Sequence, residues 1–300
     1  MNEMSQLMTY FEEDLGYLSA EKNVSKYTLD NYTSNFKIFT QFLLFKNLPL
    51  DITKIKTRDL RSYLIYLKND KGYQNESIRR KVNALRSFFH FLTEQEYIDK
   101  NPSLSIYAPK RIERLPIYMS EPELELFLRT IEATGRKNAL HDFCFFKLLV
   151  CTVLRRQEAI HLNWSDINFG NNTVTVVLGK CKKSHVVPMP ESLSEKLWEY
   201  LQTRLPLSTQ AVFLSEAGNR ISPSISETYF TKYLKRSGLT GKGFTMYKLR
   251  HTYASHLVLA GVNLLSVQQL LGHSDLNSIQ VYTHINTQHL KKQVEKSPFK

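Results

Sequence analysis

The sequence predicts a mainly α-helical protein in two parts, with a small β-hairpin or sheet in the second. Three observations carry this. Apolar residues recur every three to four positions through much of the first hundred residues. A proline-bearing stretch without periodicity follows at 101–116. Further on, two β-branched runs flank a Gly-Lys-Cys-Lys-Lys-Ser turn. The expected organisation is a helical domain over 1–100, a linker over 101–116 and an α+β domain over 117–300.

In SKYTLDNYTSNFKIFTQFL, the residues Leu29, Tyr32, Phe36, Phe39 and Leu43 lie on one face of a helix that Ser25 can cap. TRDLRSYLIYLKN places Leu60, Leu64 and Leu67 on one side of a second helix. In SIRRKVNALRSFFHFLTE the stripe is Ile78, Val82, Leu85, Phe89 and Leu92, and Arg79, Arg80, Lys81 and Arg86 crowd the same helix. Those four are either an ordinary solvated face or the kind of basic surface a helix needs in the major groove of DNA.

NPSLSIYAPKRIERLP, with Pro102, Pro109 and Pro116, reads as an extended linker. SEPE at 120–123 is a capping-box pattern opening a new helix. HDFCFFKLLVCTVL is a continuous apolar run, expected as a buried helix, and NTVTVVLGKCKKSHVVPMP reads as a hairpin. Helical patterns then resume. NLLSVQQLLG is a helix stopped by Gly272, and Asn277 or Ser278 can cap a short helix after it.

Three hundred residues, 42% of them hydrophobic, suffice for one large or two ordinary packed domains and exclude a disordered chain. No run of eighteen apolar residues is present, and MNEMSQLMTYFEEDLG lacks the pattern of a signal peptide. Cys144, Cys151 and Cys181 have no CxxC spacing and read as reduced thiols of a cytoplasmic protein. Net charge is +12 and unevenly placed. The first hundred residues hold fifteen basic and thirteen acidic side chains; the remainder hold twenty-five and fifteen. Such a surface suits a polyanion, with counterion release driving association, or belongs to a merely soluble basic protein.

Four places set polar residues in apolar surroundings. In CTVLRRQEAIHLNW, Arg155 follows the buried helix and Glu158 lies three residues on, either as a structural ion pair or as an oriented functional arginine. In LGKCKKS, Lys180 sits at the hairpin turn, where most lysines are simply solvated. In MYKLRHTYASHL, Arg250 and His251 sit among Tyr247, Leu249, Tyr253 and Ala254. A zinc site at His251 and His256 is excluded by a spacing of five and the lack of an accompanying acid or cysteine. LLGHSDLNSIQVYTHI holds His273 and Tyr282.

Singly these are weak; together they suit phosphoryl transfer on DNA. Two arginines can grip the nonbridging oxygens of a phosphodiester in bidentate fashion. A tyrosine hydroxyl can form a covalent phosphate ester that stores the bond for rejoining, and a lysine can protonate the departing 5′ oxygen. No carboxylate cluster suited to a metal is found, so neither metal nor cofactor is expected.

VLRRQEAIHLNWSDI, LGKCKKSHVVPM, YKLRHTYASHLVLAG and LLGHSDLNSIQVYTHI stand in an order and at spacings that resemble the tyrosine recombinases of the phage-integrase and Xer type. YTLDNYTSNFKIF and SIRRKVNALRSFFHFL followed by NPS resemble that family's helical, SAM-like core-binding domain, so the likeness spans nearly the whole chain. The resemblance implies a two-domain, C-shaped clamp on double-stranded DNA and site-specific recombination through a 3′-phosphotyrosyl intermediate and a Holliday junction. It also implies a tetramer of this chain on two synapsed sites, with a paralogous recombinase or accessory protein as a further partner. Tyr282 matches the nucleophile, Arg155 and Arg250 the phosphate-gripping arginines, and Lys180 the general acid, ahead of Lys182 and Lys183. His273 matches the second histidine, and Glu158 the acidic position that orients the site. The tail TQHLKKQVEKSPFK resembles the helix exchanged between protomers.

One position departs: the family's His-x-x-Arg reads Tyr-x-x-Arg here, with Tyr247 in place of the histidine. Tyrosine, with a reference pKa near 10, is a poor base at neutral pH. His251, about 100° around the helix from Arg250, is not an obvious substitute. Two other functions share these features: a type IB topoisomerase-like nicking and closing enzyme, and a DNA-binding accessory protein with a decayed site. The helical first domain and exchange-type tail favour synapsis over the former, and the other intact positions argue against the latter.

Overall fold

The computed structural model describes residues 3–110, 117–134, 138–176 and 184–271, and the chain divides into two compact units, Met1–Glu113 and Arg114–Lys300. The first unit is built from helices α1 (Glu3–Ala20), α2 (Lys26–Phe45), α3 (Thr57–Asn69) and α4 (Asn75–Glu94). The expected α4 stripe of Ile78, Val82, Leu85, Phe89 and Leu92 is wholly buried. Ser25 caps α2, its Oγ accepting from the Thr28 N–H at 3.2 Å. On α3 the buried apolar residues are Leu60, Tyr63, Tyr66 and Leu67, while Leu64 of the expected stripe is only partly buried.

Helix α1 has no unbroken apolar stripe. Its inward stripe is Leu7, Phe11, Asp14 and Leu18, so a carboxylate interrupts the apolar periodicity at its centre. Phe11 stacks on Phe36 with centroids 3.8 Å apart and meets Phe88 edge-on at 6.0 Å, fastening α1 to α2 and α4.

The segment expected as an extended linker is fastened down over its described part, 101–110. Ile106 is buried in the first core. Thr57 Oγ1 donates to the Pro102 carbonyl at 2.9 Å, Arg79 to that of Pro109 at 3.1 Å, and Arg86 to that of Ile106. An aperiodic backbone has no ladder of its own, and here side chains satisfy its carbonyls.

The second unit places α6 (Ala139–Cys151) between α5 (Glu121–Glu132), α8 (Glu191–Arg204) and α10 (Met246–Leu259). Nine of the thirteen α6 residues are buried, including Phe143 through Phe146 and Leu148 through Val150, as its unbroken apolar run predicts. The SEPE pattern forms the expected capping box: the Ser120 N–H and Oγ both donate to Glu123 Oε2, at 2.8 and 2.9 Å. After α6 come α7 (Arg156–His161), a short 3₁₀ turn, and an antiparallel sheet of β1 (Ile167–Asn168), β2 (Thr173–Val176) and β3 (His185–Pro188) in that order. The β2–β3 pairing runs from Thr173 opposite Pro188 to Val176 opposite His185, the hairpin the β-branched runs predict. The unit continues with α9 (Pro223–Arg236), then α10, and α11 (Leu264–Leu271) packed on α10. The fold is thus mainly helical with one small three-stranded sheet, as expected. Among the described residues no helix is long and apolar enough to cross a membrane.

Candidate active site

Arg155 is the residue that leads into α7, with extended backbone angles (φ −72°, ψ 150°). Its main-chain N–H donates to Glu158 Oε2 at 2.7 Å and its Nη1 to Glu158 Oε1 at 2.9 Å. One carboxylate therefore caps the helix and grips the guanidinium. The Glu158 side chain is 9% exposed and that of Arg155 is 38% exposed, so the carboxylate is enclosed while the arginine side chain is partly exposed. The next residue, Arg156, is committed elsewhere: its Nη1 pairs with Glu227 Oε2 of α9 at 2.7 Å. The two adjacent arginines thus pair with different carboxylates, Glu158 of α7 and Glu227 of α9.

Arg250 lies in the second turn of α10 and is 7% exposed. Its Nη2 donates to the Leu271 carbonyl at the end of α11, two residues before His273 in the chain. The carboxyl end of α6 meets α10 nearby: Tyr253, three residues past Arg250, is half-buried close to Cys151, four before Arg155. Burial, with a smaller contribution from that thiol, raises the Tyr253 phenol pKa. Arg250 thus sits on α10, and Arg155 follows four residues after α6, the helix packed on α10.

Tyr247, on the first turn of α10, is 59% exposed. Its ring meets His251 edge-on with centroids 4.7 Å apart. His256, the other histidine of the rejected zinc reading, has Nε2 2.8 Å from the Met119 carbonyl.

Lys180, Lys182 and Lys183, in the connection between β2 and β3, lie outside the described residues, as do His273 and Tyr282, the stop at Gly272, the short helix after it and the terminal tail.

The basic residues of α4 do not share an open face. Lys81 is a correction to that expectation: it is buried, donates from Nζ to Asn35 Oδ1 at 2.9 Å and lies 4.6 Å from the Tyr73 ring centroid. Burial lowers its pKa. Arg79 and Arg86 are engaged by Pro109 and Ile106, and Arg79 also lies 3.7 Å from Glu76. Arg80 is the exposed member of the four.

The Phage integrase family model matches residues 118–289, and the model for the phage-integrase N-terminal SAM-like domain matches 11–96. Tyrosine recombinase XerC of Oceanobacillus iheyensis is 33% identical, covering 98% of this chain and 97% of its own. Tyrosine recombinase XerD of Staphylococcus epidermidis is 32% identical over 95% and 96%. The XerH site-specific recombinase, in its post-cleavage complex with a palindromic difH substrate, shares the fold with a TM-score of 0.74 at 22% identity, covering 92% of this chain and 81% of that one. A SAM-like helical unit followed by an α+β unit of this kind defines an integrase-type protein. The chain belongs to the phage integrase family of tyrosine recombinases.

Proposed function

We propose that this protein is a site-specific recombinase that cuts and rejoins duplex DNA at a defined recombination site, as its Xer-type relatives are named for doing. The Arg155–Glu158 geometry supports the reading: an enclosed carboxylate fixes the guanidinium of a partly exposed arginine, an arrangement that suits a phosphodiester. Arg155 and Arg250 grip the nonbridging oxygens. The Tyr282 hydroxyl loses its proton to water as its oxygen attacks phosphorus, the bond to the 5′ oxygen breaks, and Lys180 gives that oxygen a proton. The product is a 3′-phosphotyrosyl ester and a free 5′ hydroxyl, and the reverse attack on the partner duplex reseals the strand. His273 hydrogen-bonds the phosphate or supports the nucleophile. The chemistry needs no metal, since the arginines supply the charge.

The working assembly is a tetramer on two sites, joined through the terminal tail and passing through a Holliday junction, in the cytoplasm and on the nucleoid. The domains are a core-binding one over 1–100, a linker over 101–116 and a catalytic one over 117–300. The test is a cognate duplex nicked near the cleavage point, which traps the covalent adduct. Wild type yields an adduct and Tyr282→Phe yields none; an adduct that persists in Tyr282→Phe overturns the nucleophile assignment. No adduct on any cognate site in wild type supports instead the accessory DNA-binding reading that Tyr247 alone favours.

A further inference from the structure

We infer that Arg220 is a positioning residue for strand cleavage, acting on Arg155 and Glu158 by holding the far end of α7. This helix is only six residues long, too short to be stable on its own. Its last carbonyls need partners from outside. Arg220 supplies them: Nη1 donates to the Ile160 carbonyl at 2.9 Å and to that of Leu162 at 3.0 Å, and Nη2 donates to Asn163 Oδ1 at 2.6 Å. A guanidinium is the side chain whose fixed fork reaches three such acceptors at once.

Arg220 is itself well anchored. It pairs with Leu214 in a β-bridge, and the next residue, Ile221, donates from its N–H to the Phe213 carbonyl at 3.0 Å. Seven residues later Glu227 takes Arg156 at the opposite end of α7. One segment, 213–227, therefore grips the helix at both ends, and the Arg155–Glu158 contacts run from the residue before the first grip into the helix. A short helix held in this way cannot rotate without breaking them, and reactive groups displaced by about 1 Å cost up to about a hundredfold in rate.

The inference rests on Arg155 acting at the scissile phosphate, and the experiment separates the two. Adduct formation on the nicked cognate duplex is followed in single turnover at saturating protein, with site binding and thermal melting measured in parallel. Arg220→Ala is expected to slow the adduct about tenfold or more, with site binding changed by less than about twofold. Arg220→Lys, with three N–H donors on one nitrogen, is expected to restore part of the rate. In an Arg155→Lys background Arg220→Ala is expected to cost no more than about threefold, and in a Lys180→Arg background it keeps its full factor.

Equal factors in both backgrounds overturn the inference, as does an unchanged rate in a folded Arg220→Ala protein. If Arg155→Lys cleaves as fast as wild type, the assignment of Arg155 fails instead. Should Arg220→Ala not fold, Arg220→Gln removes the fork while keeping a donor, and the same comparisons decide.

Discussion

Glu158 accepts two bonds from Arg155, one from the main-chain N–H and one from the guanidinium, at 2.7 and 2.9 Å. The same carboxylate that starts α7 also holds the arginine side chain. Glu158→Gln keeps one acceptor oxygen and loses the charge; Glu158→Ala loses both bonds. The expected order of adduct formation on nicked duplex is wild type, then Glu158→Gln, then Glu158→Ala. The alanine variant is also expected to melt lower, by about 1–2 kcal/mol of cap loss. A Glu158→Ala protein that cleaves as wild type does would separate the cap from the chemistry.

Arg155→Lys keeps the charge but loses the fork. A transition-state donor of this kind is worth about 3 kcal/mol, a factor of about a hundred or more in rate. Single-turnover cleavage is expected to fall by that factor while duplex binding, dominated by the other basic residues, changes little. A loss confined to binding would place Arg155 among ordinary backbone contacts.

Tyr247 stands where the family pattern carries a histidine, and its exposed ring touches His251 rather than the core. Tyr247→His therefore removes little packing and adds an imidazole with a pKa near neutrality. Adduct formation is expected to be retained or raised, with the gain largest above about pH 6.5, where the new imidazole is neutral and can accept a proton. Total loss of cleavage in a folded Tyr247→His protein would give Tyr247 a chemical role of its own.

Much of the first unit was legible because its helices bury continuous stripes: the Ile78–Leu92 register of α4 and the Ser25 cap of α2 follow from spacing alone. Helix α1 was not, because Asp14 stands where the stripe needs an apolar side chain. In the site, Arg155 and Glu158 were legible as a local pair. The Arg156–Glu227 pair was not legible, because the partner lies 71 residues away and no periodicity announces it. Arg220 was missed for the same reason, its acceptors lying 57 to 60 residues earlier. Lys81 misled because charge in a sequence does not say which side of a helix is covered; α2 covers it with Asn35.

Burial sets Lys81 apart from Arg80 in any contact with DNA. Arg80 is the exposed member of the α4 quartet, whereas Lys81 is inside. If α4 tracks a phosphate backbone, Arg80→Ala weakens duplex binding and lowers the slope of log affinity against log salt by about one. Lys81→Met, which removes a buried ammonium together with its Asn35 bond, is expected to change thermal stability while leaving the salt slope intact. Titrations from low to moderate salt distinguish the two. A slope lowered by Lys81→Met and untouched by Arg80→Ala would reverse the assignment.

Asp14 supplies a pH dependence confined to the first unit. Its side chain lies on the buried stripe of α1, and its two carboxylate oxygens have no hydrogen-bond partner among the described residues. Burial pushes its pKa up to about 7, against about 3.9 in an unfolded chain. Because the folded value is the higher one, folding favours the protonated form. Its contribution is intact below about pH 4, declines as pH rises towards 7, and is flat beyond. Asp14→Asn mimics the protonated acid at every pH. The variant is expected to match wild type near pH 4.5 and to exceed it near pH 8, by about 2 kcal/mol after allowing for relaxation around the buried charge. Denaturant unfolding of the full chain at the two pH values reads this directly. An equal difference at both would mean that the Asp14 carboxyl does not titrate between them.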